Sequence, residues 1–87
     1  MQADPKVINR LLKTAMGQLQ GVQKMVEDDR YCIDISNQLL AVTAILQKAN
    51  KEIIRAHMRG CVREAFESGD PEAKIDELLK VFDKMTK

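Results

Sequence analysis

Tryptophan is absent from this 87-residue chain, and the aromatic residues are three: Tyr31, Phe66 and Phe82. Leu, Ile, Val, Ala and Met fill the apolar 45%, and 31% of residues are charged. That is the composition of packed helices, so the expected fold class is all-α. A dominant charge sign is also missing. The formal net charge of +1 supplies no global field for nucleic acid, and an anionic partner has to be met by a local basic patch. The opening "MQADPKVIN" has no apolar h-region, and no run approaches the length of a membrane span, so a cytoplasmic protein with no membrane partner is expected. There is no Gly-rich phosphate cradle, and outside one Cys/His trio no nucleophile, base and orienter, so no enzymatic reaction is implied. A single domain over 1–87 has little volume per surface and usually needs a second copy, a metal or disulfides.

Punctuation divides the chain into three helices. "DPKV" at 4–7 and "DPEA" at 70–73 each pair a capping Asp with Pro at the first helical position, where a missing N–H costs nothing. After the first, Ile8, Leu12, Ala15, Leu19, Val22 and Val26 form one seam of a helix over roughly 5–27. Asp28 and Asp29 offer a cap for a second helix at about 31–66, whose seam runs through Cys32, Ile35, Leu39, Val42, Leu46, Ala49 and Ile53 with no Gly or Pro before Gly60. "ESGD" at 67–70 supplies a Gly stop and the next cap. A third helix follows over roughly 71–86, with Ile75, Leu78, Leu79, Phe82 and Met85 on one face. The second helix also carries Ile33, Leu40, Ile54, Met58, Val62 and Phe66, more than one neighbour can cover. Self-association is the simplest use of the surplus, with a monomeric three-helix bundle of generous core as the competing one.

The chain has one histidine and two cysteines. His57 and Cys61 in "HMRGC" stand four apart, so on a helix they share a face and can chelate one ion. Cys32 lies 25 residues before His57, about 37 Å along a continuous helix, too far to join them within one chain. It can do so from a partner. If two copies pack antiparallel about a twofold near Ile45 and Leu46, Cys32 of one protomer meets His57 and Cys61 of the other, twice over. Soft thiolates select Cu(I), Zn(II) or iron–sulfur centres, and a three-ligand site favours Cu(I), because structural zinc wants a fourth ligand. Taken singly, a buried Cys is commonly a small hydrophobe and a lone helical His a surface residue. The trio is the stronger signal.

With these residues the chain resembles the copper-sensing operon repressors of the CsoR type, in the wider CsoR/RcnR group of bacterial metal-sensing repressors. The resemblance spans nearly all of it and rests on "GQLQGV" at 17–22, "DDRYCID" at 28–34, "QLLAV" at 38–42 and "HMRGCV" at 57–62. It implies Cu(I) held by Cys32, His57 and Cys61 across a dimer interface, and antiparallel helical-bundle dimers paired into a flat, disc-like tetramer. It also implies that Tyr31 and Glu77 hydrogen-bond with the ligating histidine. Family members commonly carry an Arg-rich first helix, whereas Leu11 and Thr14 stand here at two of those positions. The cations that remain are Lys6, Arg10 and Lys13, and on the second helix Lys48, Lys51, Arg55, Arg59 and Arg63. Of these, Arg10, Lys13, Lys48 and Arg55 are the expected DNA contacts. The function implied is a Cu(I)-responsive repressor that binds double-stranded operator DNA without metal and releases it with Cu(I). A copper-buffering protein that has lost operator binding, or a persulfide sensor using the two cysteines, are the alternatives.

Overall fold

The computed structural model describes residues 1–69 and 71–85, with all their side chains except those of Ala65, Phe66 and Ser68. Three helices account for nearly all of it: α1 (Pro5–Glu27), α2 (Cys32–Ser68) and α3 (Pro71–Met85). α1 opens as the Asp-Pro pair requires, with Asp4 in extended conformation and its carboxylate accepting from the Lys6 amide at 2.9 Å. The cap expected at Asp70 lies outside the described residues. α2 ends two residues beyond its expected end, at a glycine in the left-handed region, Gly69 with φ +75°.

The acidic pair between α1 and α2 does something other than cap α2. Asp28 is the C-cap of α1, Asp29 takes a left-handed φ of 53°, and the amides of Asp29 and Arg30 donate to Val26 O and Met25 O at 3.1 and 2.9 Å. This is the Schellman closure, with an aspartate where glycine is usual. α2 instead starts from the backbone of Tyr31, whose carbonyl accepts from the Ile35 amide at 3.1 Å.

α2 is the spine. At 1.5 Å per residue its 37 residues reach about 55 Å, and the two shorter helices lie antiparallel along successive stretches of it. α1 packs on the first half, where Ala15, Val22 and Val42 form the buried cluster with Ile35 and Ile45 against it. α3 returns along the second half, bringing Lys74 to Glu64 and Glu77 to His57.

The expected seams divide between two faces. Ile8, Ala15 and Val22 of α1 and Val42 and Ala49 of α2 are buried, and Ile35 is half-buried. The alternate members Leu12, Leu19, Val26, Cys32, Leu39 and Leu46 are exposed. Both sets repeat every seven residues, so each helix carries one apolar stripe inward and a second outward. On α3 the half-buried stripe is Lys74, Leu78, Val81 and Met85, while Ile75, Leu79 and Phe82 face out. With principal extents of 57 × 28 × 12 Å, the protomer is one layer of helices, and apolar stripes on its broad faces call for cover. Among the described residues no helix is long and apolar enough to cross a membrane.

Candidate metal centre

α2 and α3 together bring His57, Cys61 and Glu77 to one place. Each offers a ligand atom within 4.8 Å of the others'. Helical spacing sets His57 and Cys61 on one face of α2, and the antiparallel return of α3 lays Glu77 opposite. Cys61 is buried, at 5% exposure, and its thiol is free. His57 is half-buried as a residue, but its Nε2 atom is shut away from solvent with no well-formed hydrogen bond. The carboxylate oxygen within reach is Glu77 Oε1, at 3.4 Å, long and poorly aligned for one. The buried imidazole nitrogen thus has a carboxylate beside it without a formed hydrogen bond.

Around this cluster lie features with no clear signal in the sequence. Residues 1–3 fold back over it: Ala3 is buried, and Gln2 sits so close to Gly60 that a Cβ there would come within 3.0 Å of its Cδ. A lone glycine inside a helix is the one hint that something approaches. Farther along, Glu64 accepts a 3.0 Å ion-paired hydrogen bond from Lys74, and this contact, then the charge of Glu64, raises the ammonium pKa above its ordinary value.

Cys32 and Tyr31 are not part of this group. Both are exposed at the opposite end of α2, so within one chain Tyr31 does not reach His57. The expected DNA-contacting residues are all exposed. Arg10 and Lys13 line a shallow depression on α1 with Lys6 and Asn9. Lys48 and Arg55 stand on α2, and Arg55 has Glu52 beside it at 3.4 Å. Thr14 shares the outer face and bonds back to Arg10 O at 3.0 Å, whereas Leu11 is half-buried in the inward stripe. An arginine at position 11 would start from that inward stripe.

Comparison with known proteins gives the family and the fold. Residues 3–84 match the family of metal-sensitive transcriptional repressors. The copper-sensing transcriptional repressor CsoR of Bacillus subtilis (strain 168) is 46% identical over 82 residues, covering 94% of this chain and 80% of the relative. The crystal structure of the copper-sensing repressor CsoR with Cu(I) from Geobacillus thermodenitrificans NG80-2 superimposes with a TM-score of 0.83 at 40% identity, over 94% of this chain and 85% of that one. The nickel-responsive transcriptional regulator InrS gives a TM-score of 0.84 at 27% identity, over 97% and 94%. The chain, in sequence and in fold, belongs to the metal-sensitive transcriptional repressors.

Proposed function

We propose that this protein is a cytoplasmic Cu(I)-responsive repressor, holding operator DNA when free of metal and releasing it when Cu(I) binds. The observation that carries the reading is the meeting of a buried thiol and an imidazole at one corner with the second thiol, Cys32, exposed at the far end of the same helix. Two antiparallel copies of α2 would bring Cys32 of one protomer to His57 and Cys61 of the other, and the outward stripes through Leu39 and Leu46 lie between those ends to be covered by the same contact. The donor set is two sulfurs and one nitrogen. It suits a soft monovalent ion that accepts three ligands; the Bacillus subtilis relative is copper-sensing and the Geobacillus thermodenitrificans one holds Cu(I), whereas InrS is nickel-responsive.

Each residue has a part in that site. Cys32 and Cys61 supply thiolates, and His57 supplies Nδ1 while Glu77 accepts from Nε2 and fixes the ring. Tyr31, next to Cys32, arrives with it from the partner. When bound, Cu(I) supplies a soft cation that draws the thiolates and the imidazole together across the interface. Glu77 then holds α3 to α2 in the arrangement that binds DNA less well, and DNA favours the other arrangement by the same coupling energy. Arg10, Lys13, Lys48 and Arg55, repeated over two or four protomers, would meet phosphates, with shape and backbone contacts dominating.

The test is a titration of the metal-free protein against its own promoter region, with and without Cu(I), at several salt concentrations. Binding that Cu(I) reverses, with a log–log salt slope growing by roughly 0.9 per neutralised phosphate, supports the repressor. Tight Cu(I) binding with no promoter binding at low salt would point to a buffering protein. Release by persulfide and not by Cu(I) would point to a sulfur sensor.

A further inference from the structure

A glycine inside a helix weakens it relative to alanine, so a helical glycine raises the question of what uses the space. At Gly17 and Gly21 of α1 a Cβ would meet nothing within 4 Å among the described residues. At Gly60 of α2 it would come to 3.0 Å from Cδ, 3.2 Å from Cγ and 3.3 Å from Nε2 of Gln2, tighter than ordinary contact. Gln2 therefore rests on bare backbone that a side chain at position 60 would cover. The turn beneath it carries the metal donors. Gly60 directly precedes Cys61 and follows His57 by three residues, and Met1 and Gln2 border the cleft that also contains His57, Glu77 and Leu78.

The other end of this contact is α1. Ala3, next to Gln2, is 6% exposed. Asp4 then fixes the start of the helix, its carboxylate accepting from the Lys6 amide at 2.9 Å and its carbonyl from the Ile8 amide at 3.2 Å. From Gln2 to Asp4 the chain spans at most about 7 Å, too short to loop away while Ala3 stays buried. Just past the cap comes the polar row of Lys6, Asn9, Arg10 and Lys13, which share one depression on α1. One short segment thus touches the metal corner with its first residues and opens the basic helix with its last.

We infer that residues 1–3 are a strap between the metal corner and α1, and that Gln2, seated on Gly60, is the positioning residue that couples Cu(I) to the DNA-facing cations of α1. This deepens the repressor reading above and rests on it. An ion that draws on His57 and Cys61 acts on the turn between them, and the side chain resting on that turn stands two residues from the α1 cap. Gln2 is a ligand to neither partner. Its contribution is to the coupling between the two ligands rather than to either affinity alone.

The experiment measures promoter affinity with and without Cu(I), by fluorescence anisotropy, for the full-length wild type, Gln2→Ala, Gly60→Ala and the double variant. Gln2→Ala removes the three atoms that approach Gly60, and Gly60→Ala pushes them off. In each, the ratio of metal-free to Cu(I)-loaded DNA affinity should fall by about fivefold. Metal-free DNA affinity, Cu(I) affinity of the DNA-free protein by chelator competition, and the two-sulfur, one-nitrogen X-ray absorption signature should hold at wild-type values. The double variant should be no worse than Gln2→Ala, because the added methyl group then has room. Circular dichroism and sedimentation check fold and assembly; should Gly60→Ala fail to fold, Gln2→Ala, at an exposed residue, decides alone. A wild-type ratio in Gln2→Ala overturns the strap and leaves the copper reading standing, as do single effects that simply add in the double variant. If wild type shows no Cu(I)-sensitive promoter binding, the repressor reading fails and the strap with it.

Discussion

The two halves of α2 serve opposite ends. Its first half packs with α1 around Ala15, Val22 and Val42 and presents no ligand cluster among the described residues. Its second half, with α3, holds His57, Cys61 and Glu77, yet no residue described on α3 is fully buried. Stability and chemistry are segregated along one rod. A helix held by half-buried side chains, the Lys74–Glu64 ion pair and the His57–Glu77 contact among others has a low cost of local opening, which suits an element that, under the proposed function, differs between two states. The hairpin fixes where α2 lies, and α3 is free to respond.

The sharpest way to break this comparison is to damage each half separately. Val42→Asp places a carboxylate in the buried cluster with no cation to meet it and should cost about 3–5 kcal/mol, unfolding the whole chain. Thermal denaturation followed by circular dichroism would show it, and a stable, helical Val42→Asp protein would mean that the hairpin is not the core. Cys61→Ala should do the reverse. It should abolish Cu(I) binding by chelator competition while costing stability on the order of 1 kcal/mol.

Complementation sharpens the same point across chains. Mixing Cys32→Ala with Cys61→Ala protomers should restore one intact site in each mixed dimer, read as half the wild-type copper stoichiometry in that species. A mixture that binds no more copper than its parents removes the cross-chain site.

Smaller effects test the coupling. Glu77→Gln keeps the shape and removes the charge facing His57 Nε2, and should weaken Cu(I) binding or its effect on DNA by about 10- to 100-fold. Helix content should not change. Smallest of all, Asp29→Gly should relieve the left-handed strain at φ 53° and raise stability by up to about 1 kcal/mol. It sits at the α1–α2 turn, so DNA and copper affinities should stay put; if either moves, the two halves are less separate than their packing suggests.

How much of this could be read beforehand follows from which signals are local. Pro5 and Gly69 punctuate the chain by backbone chemistry alone, and the helices they bound come out within two residues of expectation. Asp28 and Asp29 could be misassigned because aspartate serves both as an N-cap and in the left-handed region, and only the bonds to Met25 and Val26 decide between them. The seams misled for a different reason. A stripe through Ile8, Ala15 and Val22 and one through Leu12, Leu19 and Val26 share the same period, so periodicity reports both without saying which faces α2. Proximity of Glu77 to His57 needed the return of α3, and nothing periodic announces that Gln2 covers Gly60.

The one-layer shape has a consequence for how the protein behaves in a cell. A slab whose broad faces carry Leu12, Leu19, Leu39 and Leu46 in the open has almost no interior until copies stack. Under the proposed assembly its unfolding midpoint climbs with protein concentration, by mass action. Abundance then becomes a second input beside copper: a scarce repressor loses structure before it loses its operator, and a newly made chain becomes competent only on meeting another.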